Sequence, residues 1–317
     1  MADNKHYLEK ADIEVQNLID SGGYMVAEQA QEWLELLVEE SEALPMFTTK
    51  PMKSPTFEIS KMGFTGRVLR AAAASTALAE DKRSKAELGK VQLTTQEYVG
   101  EAQIPYGVVE DAIGNGNFQQ VAQQFMAKAV ARDIEEFALL SDTTSSDDDL
   151  KLQDGLLKQL TTYTINWGGK RLTKTPMKIA SQTLPSRYLK GQKGKLRYLT
   201  SKNAVIDYAD SRSNRQTPLG DSSLDVQPLS QVEYNGFPVT PVPLWPENLG
   251  LTTDRTTAAF MDPKNFYIGI QRQVRVETDR DISARVMKIV TTIRVGFKLA
   301  HEPACVHITN ILASAGE

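Results

Sequence analysis

Apolar residues recur at helical spacing in the middle of the chain, downstream of Gly114 and Gly116 and of a possible cap at Asn117. About 24 residues at 1.5 Å each predict a helix of about 36 Å. Its two apolar stripes favour a central position in the fold, and they consist of Phe118, Ala122, Phe125 and Ala129 and of Met126, Val130, Ile134 and Phe137.

A long extended hairpin is predicted before this helix, from Pro55 to about Ile104. Phe57, Ile59, Phe64 and Val68 indicate one strand, and apolar positions alternate with polar ones in a second strand from Lys90 to Ile104. The hairpin could reach about 50 Å. The hairpin has few large apolar side chains, so it would bury too little apolar surface to be stable on its own.

The last part of the chain is dominated by strand patterns. Residues 266–277 alternate, a charged turn is expected at Glu277–Arg280, and two further strands are expected at 286–299 and 304–308. Together with the long helix, these strands predict an α+β fold.

Two other regions have clear local patterns. Val26, Ala30, Trp33 and Leu37 predict an amphipathic helix over residues 26–43, which needs its own core or a neighbour to pack on. Residues 176–262 alternate short helices and strands, the tract 142–155 is a polar loop, and Asn235–Gly236 is typical of a hairpin turn.

Composition and charge add the following limits. The 317 residues carry a net charge of −4, which does not suggest a DNA-condensing protein, and the single cysteine, Cys305, excludes an intrachain disulfide. The N-terminus is not that of a secretion signal, so a soluble protein made in a reducing cytoplasm is expected. Residues 1–50 have a balance of −8 and residues 61–90 a balance of +4, which suggests segments that meet a partner of opposite sign.

The sequence has no P-loop, no G-x-S-x-G motif and no histidine-rich metal pattern. Cys305, His307 and His301 could hint at zinc, but their spacing fits no structural site and packed strand residues are favoured. The acidic tract around Asp147–Asp149 and Asp154 has its glycine too late for a calcium loop. Adjacent Glu135 and Glu136 point in different directions on a helix and form no catalytic pair. We therefore expect neither an enzyme nor a bound cofactor.

The order of the parts resembles the major capsid proteins of tailed bacteriophages, whose fold is named after the Hong Kong 97 phage. The resemblance is carried by the C-terminal run from Phe260 through Arg272–Asp281 to Ala304, by Asn235–Val239, by the segment 104–112 before the long helix, and by a glycine-led strand expected at Asp154–Leu157. Each motif is weak alone, but they occur in the family's order over nearly the whole chain.

The resemblance implies four parts. These are an N-terminal arm (1–53), an extended loop or E-loop (54–105), a peripheral domain with the long spine helix (106–153 and 263–300), and an axial domain (154–262 and 301–317). It also implies a shell of pentamers and hexamers around phage double-stranded DNA, assembled in the host bacterial cytoplasm. The implied partners are a scaffolding protein, a portal and a decoration protein, and an extension removed from the chain could replace the scaffolding protein. Contact with DNA would be weak and non-specific, and no membrane is involved.

Some family members form an isopeptide cross-link between a loop lysine and an asparagine, promoted by a glutamate. Alignment by resemblance places Met287 at the asparagine and Arg294 at the glutamate, so non-covalent contacts are expected instead. The candidate intersubunit contacts pair the basic loop with helix carboxylates and add positions on the arm and the charged turn: Arg67, Arg70, Lys82, Arg83, Lys85, Asp133, Glu135, Glu136, Trp33, Asp279 and Arg280. The alternatives are an encapsulin, a bacterial compartment of the same fold, and, from a different class, an uncharacterised enzyme.

Overall fold

The computed structural model describes residues 43–64, 69, 86–107, 118–189, 195–213, 232–249 and 254–313. It confirms the predicted α+β class. The helices are α1 (Phe118–Leu140), α2 (Leu156–Gln159), α3 (Lys174–Thr183), α4 (Ser186–Leu189) and α5 (Lys202–Ser213). The strands are β1 (Thr48–Pro51), β2 (Thr56–Phe64), β3 (Ala86–Thr94), β4 (Gln96–Pro105), β5 (Thr164–Arg171), β6 (Arg197–Thr200), β7 (Glu233–Tyr234), β8 (Phe237–Pro241), β9 (Arg255–Met261), β10 (Phe266–Asp281), β11 (Val286–Leu299) and β12 (Val306–Leu312).

A four-stranded sheet in the order β1-β10-β11-β4 forms the first layer. Its centre is the long antiparallel pair β10–β11, and β1 adds to β10 in parallel. Along β11 every second residue from Met287 to Val295 is buried, so one face of the sheet carries the core, as the period of a pleated strand requires.

Helix α1 confirms the long helix expected from the apolar stripes. In its second half Ile134, Ala138 and Leu139 are buried in the core that includes the first sheet, and Phe137 stacks on Tyr98 of β4 with 4.9 Å between ring centroids. The cap expected at Asn117 lies outside the described residues. The helix thus packs on the sheet through its C-terminal half.

A six-stranded sheet in the order β5-β12-β9-β6-β8-β7 forms the second layer, with its own core. Tyr198 of β6 stacks on Phe260 of β9 at 4.3 Å, and both side chains are fully buried. The predicted turn at Asn235–Gly236 is confirmed as the link between β7 and β8. Both residues have positive φ (53° and 79°), as a type I′ hairpin turn requires.

The predicted hairpin exists, but its returning strand is not continuous. Strand β3 pairs with β2 only as far as Thr94, and after Thr95 the chain joins the first sheet as β4, paired with β11. The expectation of one strand from Lys90 to Ile104 was therefore wrong. The alternation of apolar and polar residues continues through the break because β3 and β4 each have one face turned toward other parts of the chain.

Two further local predictions were wrong. The charged residues 277–280 lie within β10, and the turn comes later, at residues 282–285, because the charged side chains are accommodated on an exposed part of a paired strand. The segment after Gly155 is the short helix α2 rather than a strand. Gly155 caps this helix and lies against the end of α1, where an added Cβ would be 2.8 Å from the Ser141 nitrogen.

Candidate assembly surfaces

The basic loop residues and Trp33 proposed from the sequence as intersubunit contacts lie outside the described residues. They are Arg67, Arg70, Lys82, Arg83, Lys85 and Trp33. The structure therefore places only Asp133, Glu135, Glu136, Asp279 and Arg280.

The carboxylates of α1 do not form one acidic surface. Glu135 is fully buried, and its Oε2 accepts a hydrogen bond from the backbone nitrogen of Ala43 at 3.4 Å. It is enclosed by its own chain and cannot reach another copy, so its assignment as a surface contact is corrected. The sequence could not show this, because the segment that covers Glu135 lies 92 residues upstream.

Asp133 and Glu136 remain partly accessible. Asp133 lies 3.5 Å from Arg132 with 42% of its side chain exposed. Burial raises the pKa of Asp133, although Arg132 partly offsets it, and burial together with the charge of Asp133 raises the pKa of Glu136. These two carboxylates are the ones on α1 that a basic partner could reach.

The root of the β2–β3 hairpin is built around two facing glycines, Gly269 of β10 and Gly296 of β11. A Cβ on Gly296 would collide with the backbone oxygen of Thr94, and one on Gly269 would collide with Met52 and Leu93. Leu93 is fully buried there. Because Gly269 and Gly296 have no side chains, they leave a slot on the sheet surface, and the chain at the base of the hairpin lies in this slot.

Thr95 fixes the chain at this slot. Its nitrogen donates to the Pro55 oxygen at 2.9 Å, and its hydroxyl lies 3.2 Å from both the Pro55 oxygen and Gln271 Oε1. We call the slot and these contacts the hairpin root. Sequence reasoning missed it, although a glycine inside an alternating strand pattern indicates a close approach of another backbone.

The tip of the β10–β11 hairpin is a turn closed by its own hydrogen bonds. The Asp281 carboxylate accepts hydrogen bonds from Ser283 and Ala284, and it pairs with Lys288 at 3.0 Å. These hydrogen bonds lower the pKa of Asp281. Ile282 stands 82% exposed at the tip, and the predicted contact residues Asp279 and Arg280 are exposed on the strand leading to it.

The positions aligned with the cross-linking residues have other roles here. Met287 is 2% exposed and belongs to the inner face of the first sheet. Arg294 donates through Nε and Nη2 to Glu97 on β4, at 2.9 and 2.5 Å. Met287 has no side-chain amide and Arg294 has no carboxylate, so neither can replace its counterpart in the cross-linking reaction.

Polar side chains hold together the junction where the chain passes from the first sheet to the second. Asn265 bonds both the nitrogen and the oxygen of His301, at 2.9 and 2.8 Å. Glu302 accepts from the backbone nitrogens of Thr161 and Thr162 at 3.0 and 2.8 Å, and from the Thr161 hydroxyl. Burial alone would raise the pKa of Glu302, but these hydrogen bonds outweigh it and lower the pKa.

The candidate zinc ligands are each engaged elsewhere. His301 Nε2 lies 2.8 Å from the Tyr188 hydroxyl, Asn265 donates to Cys305 Sγ at 3.3 Å, and His307 Nδ1 lies 3.3 Å from the Leu160 oxygen. Burial raises the pKa of the Cys305 thiol to about 12 and lowers the pKa of His307. Within the described ranges, no group of three or more histidine, cysteine, aspartate or glutamate residues is placed to hold a metal ion.

The acidic tract after α1 is a self-bonded loop. Asp142 Oδ1 accepts from the nitrogen of Thr144 at 2.8 Å, and Asp154 Oδ1 accepts from the nitrogen of Thr143 at 3.0 Å. These carboxylates therefore shape turns. Among the helices that the structure describes, none is long and apolar enough to cross a membrane.

The chain is similar in sequence to a known capsid protein. No protein-family model matches it. Over 312 residues it is 30% identical to YqbE, a prophage capsid protein of Bacillus subtilis (strain 168), in a match that covers 97% of this chain and 99% of that protein.

Solved structures with little sequence identity share the fold. The satellite phage P4 procapsid matches with a TM-score of 0.61 at 13% identity, covering 97% of this chain and 94% of that one. The SrpI encapsulin of Synechococcus elongatus PCC 7942 matches with a TM-score of 0.58 at 9% identity, covering 90% and 89%. By its sequence relative and by its fold, the chain belongs to the major capsid proteins of phages, with the Hong Kong 97-type architecture.

Proposed function

We propose that this chain assembles as pentamers and hexamers into an icosahedral head that encloses phage double-stranded DNA. The observation that carries the proposal is the relationship to a prophage capsid protein along nearly the whole chain. The β2–β3 hairpin supports it, because a two-stranded ribbon is at best marginally stable on its own and gains stability from a neighbouring copy.

The proposed domain organisation has four parts. An N-terminal arm covers 1–53, an E-loop 54–105, a peripheral domain 106–153 and 263–300, and an axial domain 154–262 and 301–317. The break at Thr95 supports treating the hairpin as a separate projection, and a core cluster built from the second sheet and its helices supports a separate axial domain.

The contacts between copies are non-covalent in this proposal. Basic residues of the E-loop, led by Arg67 and Arg70, meet carboxylates such as Asp133 and Glu136 of a neighbour. Trp33 of the arm, together with Asp279 and Arg280 near the β10–β11 tip, adds further contacts. Each exposed ion pair contributes at most about 1 kcal/mol, but many such pairs over a closed shell set the register and disfavour wrong partners.

Further partners follow from the proposed shell. A scaffolding protein, a portal and a decoration protein would join it during assembly in the host bacterial cytoplasm, and the virion capsid would be the final location. Packaged DNA would make weak contacts that do not depend on sequence.

Electron microscopy of the full chain, expressed with and without the neighbouring phage genes, tests the proposal. Shells that contain DNA and a portal are expected when the phage genes are present. Shells that instead enclose a cargo enzyme would assign the chain to the encapsulins, and a discrete small species under all conditions would refute a shell.

A double variant tests the contact model separately. Arg67→Glu with Arg70→Glu should abolish shells while the subunit stays folded. The matched control, Lys195→Glu with Lys202→Glu, makes the same change of charge at exposed positions on the second domain and should still assemble. Normal shells from the loop variant would contradict the role given to the E-loop.

A further inference from the structure

Charge is distributed very unevenly in the second domain, which consists of the second sheet and the helices packed on it. Residues 155–206 contain no aspartate or glutamate, although the whole chain has 40 of them and a net charge of −4. The same stretch contains eleven basic residues, which are Lys158, Lys170, Arg171, Lys174, Lys178, Arg187, Lys190, Lys193, Lys195, Arg197 and Lys202. The small total charge of the chain therefore hides a strongly basic segment.

Helix α3 turns one side to the core of this domain and a basic side to solvent. Met177 and Ala180 are fully buried in the core. Lys174, Lys178 and Gln182 follow one another at intervals of four residues, and all three are exposed. Residues at this spacing lie on one side of a helix, so they form a row about 12 Å long, which we call the α3 stripe.

The two lysines of the α3 stripe are arranged unfavourably for the subunit alone. Like charges four residues apart on a helix repel each other and destabilise it. Within the described residues no ion pair joins Lys174 or Lys178 to a carboxylate, and Asp207, the first acidic residue after the basic segment, pairs with Arg171. An anion from outside the subunit would therefore relieve the repulsion without breaking a contact of the fold.

A cleft beside the α3 stripe adds neutral hydrogen-bond donors. It has a volume of about 750 Å³ and is bounded by α3, α4 and the β7–β8 hairpin. Its polar lining consists of Lys178, Ser181, Gln182, Tyr234 and Asn235, and its apolar lining consists of Leu189 and Phe237. Each of the polar side chains can donate a hydrogen bond, and none of them is a carboxylate. The cleft is therefore suited to an anionic ligand.

Double-stranded DNA is the anion that fits the stripe and the cleft together. It carries one negative charge per about 1.7 Å of its axis, so a stripe of about 12 Å meets several phosphates at once. Amide and hydroxyl side chains bind phosphate oxygens beside lysine in protein–DNA contacts. Lysines that cluster along one side of a helix are the electrostatic pattern of a nucleic-acid-binding surface.

We propose that the α3 stripe and the adjoining cleft bind the phosphate backbone of double-stranded DNA, and that α3 faces the lumen of the head. The inference rests on the proposed function, because a shell that encloses DNA brings the two together. Lys174 and Lys178 supply the charge, and Gln182 and Asn235 supply neutral donors. Contacts to phosphate carry no sequence information, so binding is independent of base sequence and is weakened by salt.

Fluorescence anisotropy of a labelled DNA duplex, titrated with the unassembled full-length chain, tests the site. Lys174→Ala with Lys178→Ala should weaken binding by about fivefold or more at low salt. The slope of log affinity against log salt concentration should become shallower by about 2, because each lost phosphate contact contributes about 0.9. Lys178→Arg should keep both the affinity and the slope.

Asn235→Gly tests the cleft separately from the charge. Glycine keeps the positive φ of the β7–β8 turn and removes one neutral donor. Binding should weaken by about twofold to tenfold while the salt slope stays unchanged, because no charge is lost. A slope that falls as it does in the lysine variant would contradict the neutral role given to this side chain.

Lys53→Ala with Lys264→Ala is the matched control, since both lysines are exposed, lie outside the second domain and carry the same total charge. Equal affinities and equal slopes from the two double variants would overturn the inference. Polyglutamate that displaces the labelled duplex as efficiently as unlabelled duplex does would also overturn it, and would assign the surface to an acidic protein segment.

Electron microscopy of filled heads separates this inference from the proposed function. Helix α3 should line the lumen, with DNA density against the α3 stripe. A position of α3 on the outer surface would overturn the inference and leave the shell itself established. Failure of the wild type to form shells refutes the proposed function, while the titration still decides whether this surface binds DNA.

Discussion

The second sheet and the β2–β3 hairpin show two ways in which one chain stabilises its strands. The sheet of β5, β6, β7, β8, β9 and β12 buries a continuous apolar core, in which Tyr198 and Phe260 have no exposed surface. The hairpin buries little beyond its root, and the ion pair of Glu58 and Lys90 on it is solvated. One region is complete within the subunit, whereas the other has surface that a second copy can still cover.

The largest effect should come from a cavity in the closed core. Phe260→Ala should lower the free energy of unfolding by about 3–5 kcal/mol. The matched change in the hairpin, Phe57→Ala, should cost only about 1 kcal/mol, because the ring is half-buried. Urea unfolding of the unassembled chain measures both, and equal losses would contradict the distinction between the two regions.

The hairpin root should be the one part of the hairpin that tolerates change poorly. Gly296→Ala places a Cβ against the Thr94 carbonyl, and overpacking of this kind costs about 1–3 kcal/mol. The backbone itself must move, so β2 and β3 should become sensitive to protease.

Gly100→Ala on β4 is the control for this prediction. Its Cβ would lie 3.4 Å from the Met126 methyl, a flexible group that can move, so stability and protease resistance should stay near wild type. Wild-type behaviour from both variants would show that the slot does not fix the hairpin.

How far the sequence could predict the molecule depends on the range of the interactions. Helix α1 and the Asn235–Gly236 turn are encoded in neighbouring residues, and both were predicted. The break at Thr95 and the burial of Glu135 were missed, because each is decided by a partner far along the chain. Of the predicted contact residues, those on the E-loop and Trp33 lie outside the described part, so their role stays a prediction.

The junction between the first and the second sheet should show a pH dependence traceable to Glu302. Since its folded-state pKa is below the ordinary 4.5, the carboxylate stabilises the fold above that value, and this contribution is lost as the pH falls through the folded-state pKa. The stability advantage of wild type over Glu302→Gln should therefore shrink between pH 7 and pH 3. A difference that does not vary with pH would mean that folding does not lower the pKa of Glu302.

The smallest effect should come from the pair of Arg294 and Glu97, on the strands that carry the hairpin root. Their side chains are 31% and 41% exposed, so Arg294→Ala should cost the unassembled chain only about 0.2–1 kcal/mol despite the two short hydrogen bonds. Glu97→Ala should cost a similar amount, and the double variant should cost less than the two single losses together, because both remove one interaction. A loss above about 2 kcal/mol in urea unfolding would show that the pair is a structural contact of the first sheet and not a solvated surface pair. If shell formation fails while unfolding is unchanged, Arg294 acts between copies.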